Sequence, residues 1–330
     1  MNAGLTLEIR NVSKRFVKRL DVVERLAAAL GSAVREQVVH AVDRVSFEVH
    51  AGEVVGLVGE SGCGKSTLGR VVCGLYAPTE GEVLLGGEPV RLRADRKPAL
   101  QMIFQDPFAS LNPRMRVGDA IAEAPIAHGL VKRAAAPDHV AELMQQVGLD
   151  PSFARRYPHQ FSGGQRARIG IARALAVKPS LLVCDEAVAA LDVSIQAQVL
   201  NLFMSLRQRL GLTYLFISHD LGVVHHLADR VVIMYLGRVV ESGPNDALYA
   251  APNHPYTQAL LAEVPRLDRR QRHYLPIRGE IPSPLAPPSG CHFHPRCPQA
   301  GARCRVEQPA LLEIAPGRRS ACHLNDGGTA

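Results

Sequence analysis

A glycine-rich stretch that ends in a lysine and two hydroxyl residues has the composition of a phosphate-binding loop. It reads Gly59-Glu60-Ser61-Gly62-Cys63-Gly64-Lys65-Ser66-Thr67. The glycines let successive backbone N–H groups turn inward around phosphate oxygens without a Cβ clash, and the helix expected after them adds its positive N-terminal end. We predict that ATP is bound by eight of these residues: Gly59, Ser61, Gly62, Cys63, Gly64, Lys65, Ser66 and Thr67. Lys65 would bridge the β- and γ-phosphates, and the Ser66 hydroxyl would ligate Mg²⁺.

Two adjacent carboxylates, Asp185 and Glu186, follow the apolar run Leu181-Leu182-Val183-Cys184. Such a run is typical of a buried strand, so we expect both carboxylates at its end, beside the phosphate loop. Asp185 suits Mg²⁺, directly or through water. Glu186 suits the attacking water, because a carboxylate beyond the γ-phosphate can orient or deprotonate the nucleophile. A solvated strand end is the alternative, which the position after a phosphate loop disfavours.

Two further polar residues end short apolar runs. Gln105 follows Met102-Ile103-Phe104, and His219 follows Thr213-Tyr214-Leu215-Phe216-Ile217-Ser218. Phosphoryl transfer depends on positioned charge more than on covalent chemistry. We therefore predict that both residues sense the γ-phosphate, and that Gln105 also reaches Mg²⁺. The alternative for each is a surface residue with ordinary hydrogen bonds.

A second glycine-rich element, Phe161-Ser162-Gly163-Gly164-Gln165, precedes a stretch with helical periodicity at 166–176. Ser162 and the amides of Gly163 and Gly164 open that stretch, so they would form another helix N-terminus suited to an anion.

The order of these segments resembles the nucleotide-binding subunit of an ABC transporter. The matching residues are Gln105 for the Q-loop, Ser162-Gly163-Gly164-Gln165 for the family signature, Ala190-Leu191-Asp192 for the D-loop and His219 for the switch histidine. The resemblance implies that two ATPase subunits close head to tail. The signature of one subunit would then cap the γ-phosphate held by the loop of the other.

The resemblance is closer to the ATPases of oligopeptide and dipeptide importers. It rests on segment 105–115, on segment 188–200, and on His254-Pro255-Tyr256-Thr257-Gln258-Ala259-Leu260-Leu261. It implies the second of two ATPases, two transmembrane permeases and an extracytoplasmic solute-binding protein. The cargo would be short peptides or a related small solute, and the subunit would lie on the cytoplasmic face of the inner membrane.

The implied fold is α/β, with a P-loop NTPase core of the ABC type, an antiparallel β subdomain, an inserted helical subdomain and a small Cys-rich extension. We assign residues 1–252 to the nucleotide-binding domain, with the helical insert at about 111–177, and residues 253–330 to the extension.

Phe16 stands where family members stack an aromatic ring on adenine, with core packing as the alternative. An inserted segment at about 17–39 has apolar residues at the spacing of an amphipathic helix: Leu20, Val23, Leu26, Ala27, Leu30 and Val34.

Four of the seven cysteines, Cys291, Cys297, Cys304 and Cys322, lie in the last forty residues. A reducing cytoplasm argues against disulfides and favours a metal site. Four thiolates suit zinc or a [4Fe–4S] cluster, and their spacing fits no common zinc-finger pattern. The resemblance to importer ATPases with a C-terminal cluster favours iron–sulfur. Zinc, with His292, His294 or His323 as a possible ligand, and unliganded thiols remain the alternatives.

Composition argues against two other classes of protein. The net charge of +7 comes from scattered basic residues without an aromatic-interleaved groove, so we expect no nucleic-acid partner. No apolar run approaches the roughly 18 to 20 residues of a membrane span, and the first residues lack the features of a signal peptide.

The functional alternative is a soluble ABC ATPase acting on nucleic acid or ribosomes. Such proteins generally carry two cassettes or a long coiled coil, and this sequence has one cassette.

Overall fold

The computed structural model describes residues 4–18, 36–90, 99–106, 110–263 and 279–326. Its strands are β1 Leu5–Lys18, β2 Gln37–His50, β3 Val54–Val58, β4 Glu80–Leu85, β5 Glu88–Pro89, β6 Leu100–Ile103, β7 Leu181–Asp185, β8 Thr213–Ser218, β9 Arg230–Tyr235, β10 Arg238–Pro244, β11 Leu312–Ala315 and β12 Arg318–Ser320. Its α-helices are α1 Lys65–Val72, α2 Val117–Ala127, α3 Ala136–Gln146, α4 Gly163–Leu175, α5 Val193–Leu210, α6 Leu221–Leu227, α7 Asn245–Ala250, α8 Pro255–Glu263 and α9 Ala302–Val306.

The strands form two sheets. A four-stranded antiparallel sheet has the order β2-β1-β4-β5, and an eight-stranded sheet has the order β11-β12-β10-β9-β3-β8-β7-β6. In the larger sheet the pairs from β9 to β6 are parallel, and the pairs from β11 to β9 are antiparallel. The expected α/β fold with an antiparallel β subdomain is confirmed.

Both faces of the parallel strands are covered. In β3, Val54 and Val58 face one hydrophobic core, whereas Val55 and Leu57 face the other. The first core contains the apolar sides of α2 to α5, and the second contains α1 and the antiparallel sheet. A strand buried on both faces needs apolar residues at consecutive positions, which explains the unbroken apolar runs of β3, β7 and β8.

Three helices, α2, α3 and α4, lie between β6 and β7 in the chain. The periodicity predicts helices over 119–129, 135–147 and 166–176, and the structure has them at Val117–Ala127, Ala136–Gln146 and Gly163–Leu175. The third begins three residues before its predicted start, because Ser162 caps it and both glycines join its first turn.

The segment predicted at about 17–39 is described only at its ends. There, Val17 pairs with Val38 and Lys18 with Gln37, so these residues extend the β1–β2 hairpin rather than a helix. The apolar positions from Leu20 to Val34 lie outside the described residues.

The C-terminal segment adds to the larger sheet. β12 pairs with β10, and β11 pairs with β12, so this segment continues the nucleotide core at its antiparallel edge. Within the described ranges, no helix is long and apolar enough to cross a membrane.

Candidate nucleotide-binding and hydrolysis site

Four parallel strands bring their carboxyl ends to one edge of the larger sheet. β3 pairs with β8, β8 with β7, and β7 with β6. The phosphate loop follows β3, Asp185 ends β7, His219 follows β8 and Gln105 comes shortly after β6. Side chains from four distant parts of the sequence are thereby collected around one loop.

The phosphate loop requires glycine for both conformation and space. Gly62 and Gly64 have φ angles of 79° and 104°, in the region that favours glycine. A Cβ on Gly64 would lie 2.0 Å from the carbonyl oxygen of Ala41. Helix α1 begins at Lys65, directly after Gly64, so its unpaired N-terminal N–H groups adjoin the loop.

The lysine of the loop is 4% exposed and folds back over the loop's own backbone. Its Nζ donates to the carbonyl oxygens of Gly59 at 2.6 Å and Glu60 at 2.9 Å. A weaker contact at 3.8 Å joins Nζ to Cys63 Sγ. These neutral acceptors hold the ammonium group over the loop, where a phosphate would offer a charged acceptor instead. Ser61 is exposed and Ser66 and Thr67 are half-buried.

Cys63 is buried within the loop. Burial raises the pKa of its thiol, so this cysteine is protonated at neutral pH and packs as a small apolar group.

Asp185 and Ser66 lie in direct contact. Ser66 Oγ donates to Asp185 Oδ1 at 2.7 Å, although the two residues lie on different elements. Burial raises the pKa of Asp185, while Ser66 opposes that rise. A divalent cation would favour the ionised form, and a hydroxyl beside a carboxylate is a donor set that Mg²⁺ accepts. The two side chains therefore fit the expected Mg²⁺ site.

Glu186 is held from two sides. Gln105 Nε2 donates to Glu186 Oε2 at 2.8 Å, and His219 Nδ1 lies 3.1 Å from Glu186 Oε1. Since a carboxylate only accepts, His219 carries its proton on Nδ1 in this contact. Glu186 has a φ of 48°, which is unusual for a non-glycine residue, and its N–H donates to Ile217 O at 2.9 Å. All three predicted catalytic side chains thus meet at one carboxylate.

The second glycine-rich element is the N-terminus of α4. Ser162 Oγ accepts from the N–H of Gln165, and Gln165 Oε1 accepts from the N–H of Ser162, which completes a capping box. A Cβ on Gly164 would lie 2.4 Å from a methyl carbon of Ile195, and one on Gly163 would contact Leu191.

Asp192, the N-terminal flanking residue of α5, is exposed, as is Ser162. Because the two glycines pack on Leu191 and Ile195, the signature turn and the D-loop segment share one surface of the molecule.

Phe16 lies near the end of β1 and is 36% exposed, so it is not a core residue. Its ring makes an edge contact with Tyr76 at 5.4 Å between centroids, and Lys14 Nζ lies 5.0 Å from its ring centre. A partly exposed ring remains available for stacking on a base.

Sequence reasoning missed two residues at the site: Tyr76, which supports Phe16, and Tyr256, whose hydroxyl accepts the Glu60 N–H at 2.9 Å. The aromatic character of Tyr76, shortly after α1, was the only available signal.

The four C-terminal cysteines are free and half-buried. Their sulfurs influence one another, since Cys297, Cys304 and Cys322 all contribute to the raised pKa of Cys291, after the larger effect of burial. Burial also raises the pKa of Cys297 and Cys322, and in all three thiols the backbone N–H two residues further along opposes the rise.

In the described part of the chain, no group of three or more His, Cys, Asp or Glu side chains is placed to hold a metal ion. The histidines offered as zinc ligands have other partners: His292 Nδ1 lies near Leu236 O, His294 Nδ1 near Cys291 O and His323 Nε2 near Glu307 O.

Comparison with known proteins decides the family. The ABC transporter profile matches residues 42–189, and the profile of the oligopeptide/dipeptide transporter C-terminal region matches residues 240–304. The oligopeptide transport ATP-binding protein AppF of Bacillus subtilis is 49% identical, across 98% of this chain and 98% of that protein. The chain belongs to the ABC transporter ATP-binding proteins. It is an ABC-type ATPase, and its reaction uses ATP and Mg²⁺.

Other relatives agree with this assignment. The "Probable peptide ABC transporter ATP-binding protein y4tS" of Sinorhizobium fredii is 53% identical over 294 residues, which cover 87% of this chain and 83% of that protein. Among solved structures, cbiO1 from Clostridium perfringens, part of the ABC transporter complex cbiONQ, has the same fold, with a TM-score of 0.61, 23% identity and coverage of 75% and 91%. The ATP-binding cassette MJ0796, solved as a dimer in a post-hydrolysis state with ADP and Pi, gives a TM-score of 0.61, 25% identity and coverage of 72% and 98%.

The geometry at Glu186 yields a prediction. Glu186→Gln removes the charge that would activate water but keeps a side chain of the same shape. We expect nucleotide affinity within about threefold of the wild type and ATP hydrolysis slowed by about 10²-fold or more. Nucleotide titration and phosphate release by the full-length protein measure the two effects.

The matched control is Glu142→Gln, the same exchange at an exposed position of α3. It should leave both quantities unchanged. Wild-type turnover in Glu186→Gln would remove Glu186 from its proposed role.

Proposed function

We propose that this chain is the ATP-hydrolysing subunit that powers an ABC importer for short peptides. The observation that carries the proposal is the convergence of Lys65, Asp185, Glu186, Gln105 and His219 at one sheet edge, in a chain that matches AppF along almost its full length. The match of residues 240–304 to the oligopeptide/dipeptide transporter C-terminal region supports peptides as the cargo.

The chemical roles follow from the contacts at the site. The N–H groups of the loop and Lys65 would bind the phosphates, while Ser66 and Asp185 would hold Mg²⁺. Glu186 would orient and deprotonate the attacking water. Gln105 and His219 each contact one oxygen of the Glu186 carboxylate, so they would position that carboxylate. They would also sense whether a γ-phosphate is present. Phe16 would stack on the adenine, supported by Tyr76.

A second ATPase subunit would complete the site. We assign Ser162, Gly163, Gly164, Gln165 and Asp192 to the partner's nucleotide, because Ser162 and Asp192 are exposed and the N-terminus of α4, which Ser162 caps, suits an anion. The dimeric MJ0796 structure with ADP and Pi supports pairing of such cassettes.

The remaining partners are two transmembrane permeases and an extracytoplasmic solute-binding protein. In this proposal residues 1–252 form the nucleotide-binding domain, the helical insert at about 111–177 contacts a permease, and residues 253–330 form the extension. The subunit would lie peripherally on the cytoplasmic face of the inner membrane. The alternative, a soluble ATPase acting on nucleic acid or ribosomes, gains no support from relatives named for transport.

Purification of the assembled protein tests this proposal. We expect tagged protein, captured from detergent-solubilised membranes under anaerobic conditions, to bring down two multi-span permeases and a second related ATPase, identified by mass spectrometry. Capture of ribosomal proteins or DNA-bound partners without permeases would contradict the transport function and leave the ATPase chemistry standing.

We also propose that Cys291, Cys297, Cys304 and Cys322 hold a [4Fe–4S] cluster, with zinc as the alternative. The support is the donor chemistry: the four thiols are free, their sulfurs interact electrostatically, and four thiolates suit such a cluster, although no metal-binding group is preformed in the described residues. When bound, a cluster would crosslink the extension. It takes no part in the steps described above.

Metal analysis of anaerobically purified protein tests the cluster. We expect iron and acid-labile sulfide with broad visible absorbance, all lost in Cys297→Ser and retained in Cys73→Ser, a cysteine of the nucleotide core. Stoichiometric zinc without sulfide would favour the alternative, and absence of both metals would contradict a metal site altogether.

A further inference from the structure

The phosphate loop contains a carboxylate, Glu60, which opposes the binding of a polyanion. The structure gives this carboxylate a specific countercharge from the C-terminal extension. Arg296 Nη1 lies 2.7 Å from Glu60 Oε2, and Arg296 Nη2 lies 2.9 Å from Glu60 Oε1, although the two residues are 236 positions apart. This two-point contact is the strongest geometry available to an arginine–carboxylate pair.

The pair is largely removed from solvent. The side chain of Arg296 is 5% exposed and that of Glu60 is 21% exposed. Charges in such surroundings interact strongly because water screens them poorly, and removal of one partner leaves the other charge buried without compensation. Arg296 therefore forms a largely buried ion pair with the loop, rather than a solvent-exposed one.

Arg296 also belongs to a packed support behind the loop. Its Nη1 lies 3.4 Å from the hydroxyl of Tyr235, and its guanidinium lies 5.8 Å from the centre of that ring. Phe293 packs against Tyr235 and Tyr256, and Tyr256 accepts the Glu60 N–H. The backbone and the carboxylate of Glu60 are thus both held by elements that follow the nucleotide core in sequence.

We propose that Arg296 is a positioning residue of the nucleotide site, which neutralises Glu60 and fixes its carboxylate away from the bound phosphates. This inference rests on the proposed function of the phosphate loop. Arg296 touches the loop and not the reacting atoms, so it acts on nucleotide affinity through Glu60. The extension thereby becomes part of the ATP site.

Arg296→Met tests this role, because it keeps an unbranched side chain and removes the charge. We expect about tenfold weaker MgADP binding, which corresponds to about 1.4 kcal/mol. Glu60→Gln alone should bind within about threefold of the wild type, since it removes the opposing charge. The double variant Glu60→Gln/Arg296→Met should recover affinity to within about threefold of the wild type. Titration calorimetry on the full-length chain measures all four proteins.

The matched control is Arg303→Met. Arg303 also directly precedes a cysteine of the extension, but it pairs with Glu307 and Asp326 and not with the loop. It should leave affinity unchanged. Thermal unfolding of every variant separates loss of folded protein from loss of affinity.

The outcomes separate this inference from the proposed function. Wild-type affinity in Arg296→Met would overturn the role of Arg296. Weak binding that persists in the double variant would also overturn it, because a structural defect of the extension is not repaired by neutralising Glu60. Failure of the wild type itself to bind MgADP would instead contradict the proposed nucleotide site.

Discussion

Parallel pairing of β3, β8, β7 and β6 places the carboxyl ends of four strands side by side, and every proposed step of the reaction depends on that alignment. A shift of one residue in any pair would turn a polar side chain away from the loop, since strand side chains alternate between faces. The two apolar cores on either side of the sheet hold the register. Packing of the two cores therefore keeps Asp185, Glu186 and His219 at one edge of the larger sheet.

The C-terminal extension is attached to this arrangement at two levels. Its strand β12 pairs with β10 and so lengthens the larger sheet, while Phe293 and Arg296 pack behind the phosphate loop. The extension, which follows the nucleotide core in sequence, thus supports the phosphate loop of the ATP site. This gives a physical reason for a catalytic cassette and an extension to occur in one chain.

The phosphate loop and the polar residues at strand ends could be predicted from the sequence, because each depends on residues that are close together in the chain. Glycine spacing with a final lysine indicates the loop, and apolar runs that end in polar residues indicate the strand ends. The same logic located Glu186, Gln105 and His219, although their shared contact depends on strand order. The Glu60–Arg296 pair could not be anticipated, since nothing local links residues so far apart in sequence. The cysteine pattern predicts a metal site, but thiol spacing alone does not fix the distances between sulfurs, and the described residues contain no preformed group of metal ligands.

The most direct test of the account is peptide uptake by cells that carry Lys65→Ala in this chain, with Lys132→Ala in the exposed part of the helical insert as the control. Lys65 is the buried ammonium group that would meet the phosphates, so the account predicts that uptake is lost with Lys65→Ala and retained with Lys132→Ala. Wild-type uptake with Lys65→Ala, in protein present at normal levels, would contradict the claim that ATP at this site powers transport.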